Sequence, residues 1–91
     1  MKRLHLYLSG YVQGVGFRWY AEKIARRVGG VTGFVRNLND GRVEIVVEGK
    51  EEIVTQFLRE LETGYLGSKI DNIEKIYEPC TGKFPDFSIA F

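Results

Sequence analysis

The stretch Gly10-Tyr11-Val12-Gln13-Gly14-Val15-Gly16-Phe17-Arg18 gathers three glycines and one arginine into nine residues. Glycines let a backbone turn so that consecutive N–H groups converge, and a helix that begins at the end of such a turn adds unpaired donors with a favourable dipole. Arg18, on the first turn of that helix, supplies a planar cation able to grip two oxygens at once. The chemistry these residues suit is anion binding, and the natural anion is a phosphate.

Several familiar phosphate and metal chemistries do not fit the pattern. A P-loop needs lysine and then Ser or Thr after its second glycine, whereas Gly14 and Gly16 lead into Phe17 and Arg18. The dinucleotide fingerprint fails at Trp19, which stands where its third glycine belongs. A cysteine phosphatase of the Cys-x5-Arg type needs arginine where Asp86 follows Cys80, and nothing near Cys80 in the sequence would activate its thiolate. The one histidine is His5, and Asp40, Asp71 and Asp86 fall in separate loops without ligand spacing, so neither a metal nor another cofactor is expected.

The elements that must position the glycine loop are legible in the apolar spacing. Leu4, Leu6 and Leu8 alternate with His5, Tyr7 and Ser9, the period of two that buries one strand face. From Phe17 the apolar residues become Phe17, Tyr20, Ala21, Ile24, Ala25 and Val28, which predicts a helix stopped by Gly29-Gly30. Residues 33 to 38 and 43 to 48 flank Asn39-Asp40-Gly41 and predict a hairpin. Ile53, Val54, Phe57, Leu58 and Leu61 predict a second helix, begun near Glu51 and Glu52 and ended at Gly64. Ile70, Ile73 and Ile76 recur every third residue, a spacing that fits neither strand face cleanly and predicts a strand with a bulge. Pro79 to Pro85 predicts a loop, and Phe87, Ile89 and Phe91 a short terminal strand.

That order is βαββαβ plus a terminal strand, which predicts an α+β, ferredoxin-like α/β sandwich. Right-handed crossovers place both helices on one face of an antiparallel sheet and leave the other face to solvent. His5, Tyr7 and Arg36 are accordingly expected at the surface. The glycine loop and Asn37 are expected to open at the same end of the sheet.

Size and charge bound the partners. A chain of 91 residues is expected to form a single domain, 1–91, since folding units usually run to roughly 50 to 200 residues. With 44% hydrophobic and 27% charged residues it has an ordinary globular composition and enough apolar material for a core. A net charge of +1 argues against a nucleic-acid backbone or an anionic membrane as its main partner, so any phosphate site must be local. One cysteine, no signal-peptide pattern and no long apolar run make the cytoplasm the expected location and a monomer the expected form.

Residues 8 to 18 and 33 to 49 resemble the acylphosphatase family. The first stretch carries Gly10, Val12, Gln13, Gly14, Val15, Phe17 and Arg18, and the second Gly33, Phe34, Val35, Arg36, Asn37, Gly41, Val43 and Gly49. The resemblance implies hydrolysis of carboxyl-phosphate anhydrides to a carboxylate and inorganic phosphate. Arg18 would then bind the phosphate, the amides of Val15, Gly16, Phe17 and Arg18 would form its cradle, and Asn37 would hold the attacking water. Departures are small: Asn39 stands where members often have proline, Gly67-Ser68 where they have Gly-Pro, and Leu38 where some carry a hydroxyl after the asparagine. Acylphosphatase-like domains also occur inside larger carbamoyl-transfer proteins, but this chain is expected to act without such partners.

The residue set agrees with that chemistry. Phosphoryl transfer needs charge stabilisation and an aligned nucleophile, and in most cases help for the leaving group. Arg18 and Asn37 offer the first two and no general acid. A carboxylate leaving group has a conjugate-acid pKa of about 4 to 5 and departs unprotonated, which favours acyl phosphates over phosphomonoesters. Two other classes share the fold. An RNA-recognition domain needs stacking aromatics on its central strands, but residues 42 to 48 have none and carry Glu44 and Glu48. A phosphate-binding or regulatory ferredoxin-like module would keep the cradle without turnover, and phosphate binding without hydrolysis would mark it.

Overall fold

A computed structural model describes residues 1–91. The strands are β1 (Lys2–Gly10), β2 (Thr32–Asn37), β3 (Val43–Gly49), β4 (Ile70–Glu78) and β5 (Phe87–Ile89). The helices are α1 (Phe17–Val28) and α2 (Glu51–Thr63), with one turn of 3-10 helix at Gly67–Lys69. The sheet order is β4-β1-β3-β2-β5. Both helices lie on one face, as the βαββαβ order requires. Their Phe17, Tyr20, Ala21, Ile24, Ala25, Val54, Phe57 and Leu61 are buried against Leu4, Leu6, Leu8, Val35, Val43, Ile45 and Val47. Each large apolar side chain taken out of water in this layer is worth about 1.5 to 3 kcal/mol.

The threefold isoleucine spacing has a local explanation. Ser9 pairs with Asn72 but Gly10 pairs with Ile70, so the ladder passes over Asp71. That extra residue brings Ile70 and Ile73 to the same, helix-covered face, where both pack against the core. Ile76 lies opposite His5 and belongs to the outer face.

Two expectations need correction. The sheet is mixed, because β5 runs parallel to β2 while the other pairs are antiparallel. The chain reverses direction after β4 and crosses to the far edge of the sheet. There β2 already runs opposite to β4, so a returning strand lands parallel to it. The terminal strand also ends at Ile89 rather than Phe91.

The second correction concerns the outer face, which is not simply open to solvent. Residues 79 to 86 strap across it. The carboxylate of Glu48, only 2% exposed, accepts hydrogen bonds from the Thr81 and Gly82 amides at 3.0 Å each and from the Thr81 hydroxyl at 3.0 Å. Phe84 packs edge-on against Phe34, and the Arg3 guanidinium lies over the Phe84 ring at 5.7 Å. Arg3 itself bridges Glu48 and Glu78 at 3.3 and 2.8 Å. Beside it His5 is half-buried, its two ring nitrogens 2.6 Å from Glu44 and 3.1 Å from Glu78. Arg36 is exposed, yet it closes the row by pairing with Glu44. Strand alternation put these polar residues on the outer face, and their cross-strand pairing is what permits Glu44 and Glu48 to be buried there.

Burial alone would raise the Glu48 pKa. The Thr81 and Gly82 amides, with the Thr81 hydroxyl, outweigh that effect and hold it at about 2. A carboxylate whose pKa is depressed by folding stabilises the fold fully above its unfolded pKa, and that contribution fades as pH falls from about 4.5 toward 2. The loss should reach about 3 kcal/mol at most. Thermal unfolding followed from pH 7 to pH 2 should therefore show Tm falling through this window, and Glu48→Gln should lower Tm at pH 7 and flatten the acid limb. An acid limb unchanged by the substitution would show that other carboxylates carry the effect.

Candidate active site

The glycine loop lies at the end of the sheet away from the strap, between the end of β1 and the start of α1. Gly14 and Gly16 have φ of 78° and 83°, a left-handed geometry that most side chains resist. A Cβ built at either position would meet no other part of the protein within 4 Å, so the turn is open around both glycines. Gly16 caps α1, and no side chain supplies a capping hydrogen bond. The first helical hydrogen bond runs from the Tyr20 amide to the Gly16 carbonyl, which leaves the amides just before Tyr20 for a ligand to use.

Asn37 reaches the same place from β2. It pairs across from Val43, so alternation from Val35 puts its side chain on the helix-covered face of the sheet at the point where the strand ends. A depression of about 230 Å³ is lined by Val12, Gly14, Gly16, Phe17, Arg18, Trp19 and Asn37. Among the expected site residues, Gly16, Phe17, Arg18 and Asn37 thus meet on one surface. Val15 is not part of the lining, and its side chain packs against the core.

The local field suits an anion. Arg18, like Arg59 on α2, forms no ion pair, whereas Arg3, Arg26, Arg27, Arg36 and Arg42 each lie against a carboxylate. Its guanidinium instead lies 5.0 Å from the centre of the Phe91 ring, which is itself 99% exposed. No carboxylate lines the depression. Asp40, nearby in the hairpin turn, is occupied by the Arg42 amide and guanidinium at 3.1 and 2.8 Å.

The sequence assigned no role to Gln13, whose side-chain amide donates to the Leu38 carbonyl at 2.8 Å and to the Arg42 carbonyl at 2.9 Å. These two carbonyls flank the β2–β3 turn, so one side chain ties the glycine loop to the hairpin that carries Asn37. A lone amide among glycines and valines was the available signal. The neighbours Trp19 and Tyr20 at the start of α1 divide: Tyr20 is buried and donates its hydroxyl to the Leu61 carbonyl at 2.6 Å, while Trp19 is exposed.

The acylphosphatase family model matches residues 4–89. The chain belongs to the acylphosphatase family. It is 39% identical over 88 residues to an acylphosphatase of Caldanaerobacter subterraneus, covering 97% of each chain. It is 47% identical over 87 residues to one from a Synechococcus strain, covering 96% of this chain and 90% of the other. The crystal structure of the Bacillus subtilis acylphosphatase superposes over the full length of both chains with a TM-score of 0.90 at 33% identity. The protein is thus an acylphosphatase-type hydrolase, and its small-molecule substrate is an acyl phosphate.

Gln13 gives this acylphosphatase fold a testable joint. Gln13→Ala should cost about 1 to 2 kcal/mol of stability, the usual range for two hydrogen bonds that leave their acceptors partly satisfied. It should also lower kcat more than it raises KM for acetyl phosphate, because the cradle and Asn37 lose their shared register. Equal kcat in a folded Gln13→Ala protein would contradict that role.

Proposed function

We propose that the acyl phosphate binds with its phosphoryl group in the glycine loop, held by the Arg18 guanidinium and by the amides of Val15, Gly16, Phe17 and Arg18. Asn37 holds the attacking water, accepting one hydrogen bond from it through the side-chain oxygen and fixing its lone pair toward phosphorus. A bond forms between the water oxygen and phosphorus while the bond from phosphorus to the acyl oxygen breaks. The electron pair leaves with the carboxylate; of the water's two protons, one stays on the phosphate product and the other passes to solvent. Neither an amide nor a guanidinium acts as an acid or base in this scheme, and none is required by so good a leaving group.

The meeting of Arg18 and Asn37 in one depression, with no carboxylate in its lining, carries this reading. Preorganised donors aimed at the oxygens where charge develops are worth a factor of roughly 100 to 1,000 each. We further take the working form to be a cytoplasmic monomer acting on a free small molecule, a reading supported by the single unpaired cysteine and the near-neutral charge.

Hydrolysis of benzoyl phosphate should proceed in the presence of a chelator, and phosphomonoesters should be poor substrates. Arg18→Ala and Asn37→Ala should each lower kcat/KM by roughly 100-fold or more. Turnover retained by both variants would overturn the assignment of residues. Phosphate binding without any hydrolysis by the unsubstituted chain would point to a regulatory module instead.

A further inference from the structure

Trp19 is the one tryptophan of the chain, and it stands 72% exposed on the rim of the cradle. It also lines a second depression of about 240 Å³ that continues along α1, together with Tyr20, Glu22, Lys23, Arg26 and Tyr65. Tyr65 is 75% exposed and meets the Tyr20 ring edge-on at 5.1 Å. Two depressions thus share one indole. The first holds Arg18 and Asn37, and the second holds neither.

We propose that Trp19, backed by Tyr65, forms the acyl subsite of this enzyme and selects acyl phosphates whose acyl group carries a flat apolar ring. The inference rests on the phosphoryl group occupying the glycine loop as described above. The acyl carbonyl is joined to phosphorus through a single oxygen, so the acyl group must leave the cradle against one of its lining residues. Val12 and Phe17 are buried at 1% and 2% exposure and present no free surface. The glycines, Arg18 and Asn37 are engaged with phosphate and water. Of the lining residues only Trp19 offers a broad apolar face.

In-line displacement adds a direction. The leaving group departs on the side of phosphorus opposite the attacking water. With water held at Asn37, the acyl group is directed away from the β2–β3 hairpin, and the second depression contains no hairpin residue. Indole and phenol faces favour offset or edge-on aromatic partners over small aliphatic ones.

The test compares kcat/KM for benzoyl phosphate and acetyl phosphate in the unsubstituted enzyme, Trp19→Ala, Trp19→Phe and Tyr65→Ala. The benzoyl-to-acetyl ratio should fall roughly 5- to 10-fold in Trp19→Ala, less in Tyr65→Ala, and recover largely in Trp19→Phe. Phenacylphosphonate, the methylene analogue of benzoyl phosphate, should also change the emission of the single tryptophan more than inorganic phosphate does. A ratio unchanged in Trp19→Ala, whether both substrates slow together or neither does, would overturn the subsite. Arg18-dependent turnover of acetyl phosphate reports separately on the cradle, so loss of the subsite and loss of the mechanism give different results.

Discussion

The proposed site depends on a side chain outside its own lining. Gln13 sits in the glycine loop and donates to the carbonyls of Leu38 and Arg42 on the facing hairpin. The loop approaches from β1 and α1, and Asn37 approaches from β2. Without a tie between them, each would keep its own local geometry, but their separation would vary with every motion of the turn. Phosphoryl transfer tolerates little of that variation, because an attacking atom displaced by an ångström loses much of the benefit of being bound. The half-buried amide removes this freedom at the cost of ordering one side chain. It leaves both polar partners as free as before, since Asn37 and Arg18 take no part in the tie.

Charge is distributed in keeping with that arrangement. On the outer face, the buried or half-buried carboxylates Glu44, Glu48 and Glu78 are matched by Arg3, His5 and Arg36. The strap over residues 79 to 86 closes that network at the sheet end remote from the cradle, through the Thr81 and Gly82 amides on Glu48. The cradle end is left with a cation that no carboxylate neutralises. With a net charge of only +1, the positive field at this end is local and comes from Arg18 itself.

Element order, both helix spans and the hairpin followed from period and turn chemistry alone, because each of those segments buries one regular face. The features that escaped were those set by contacts between distant segments. The direction of β5 depends on which edge strand it meets, which the alternation of Phe87 and Ile89 does not encode. The closed outer face arises from Glu48 reaching residues more than thirty positions later in the chain. Arg18 stood out because glycines precede it, and Asn37 only through resemblance, since one asparagine beside a turn has an ordinary conformational explanation. Gln13 acts through tertiary contacts, and Trp19 acquires interest only once its exposure is known.

In the function proposed, a backbone turn held in a left-handed geometry receives the phosphoryl group beside Asn37. Titration of the nitrogen-15-labelled protein with inorganic phosphate, followed by amide proton shifts, tests it most directly. The largest saturable downfield shifts should fall on the amides of residues 15 to 18, with the Asn37 side-chain amide and the Arg18 Nε–H moving at the same midpoint. Shifts confined to surface cations such as Lys23, Arg26 and Arg59, or spread without saturation, would contradict the account.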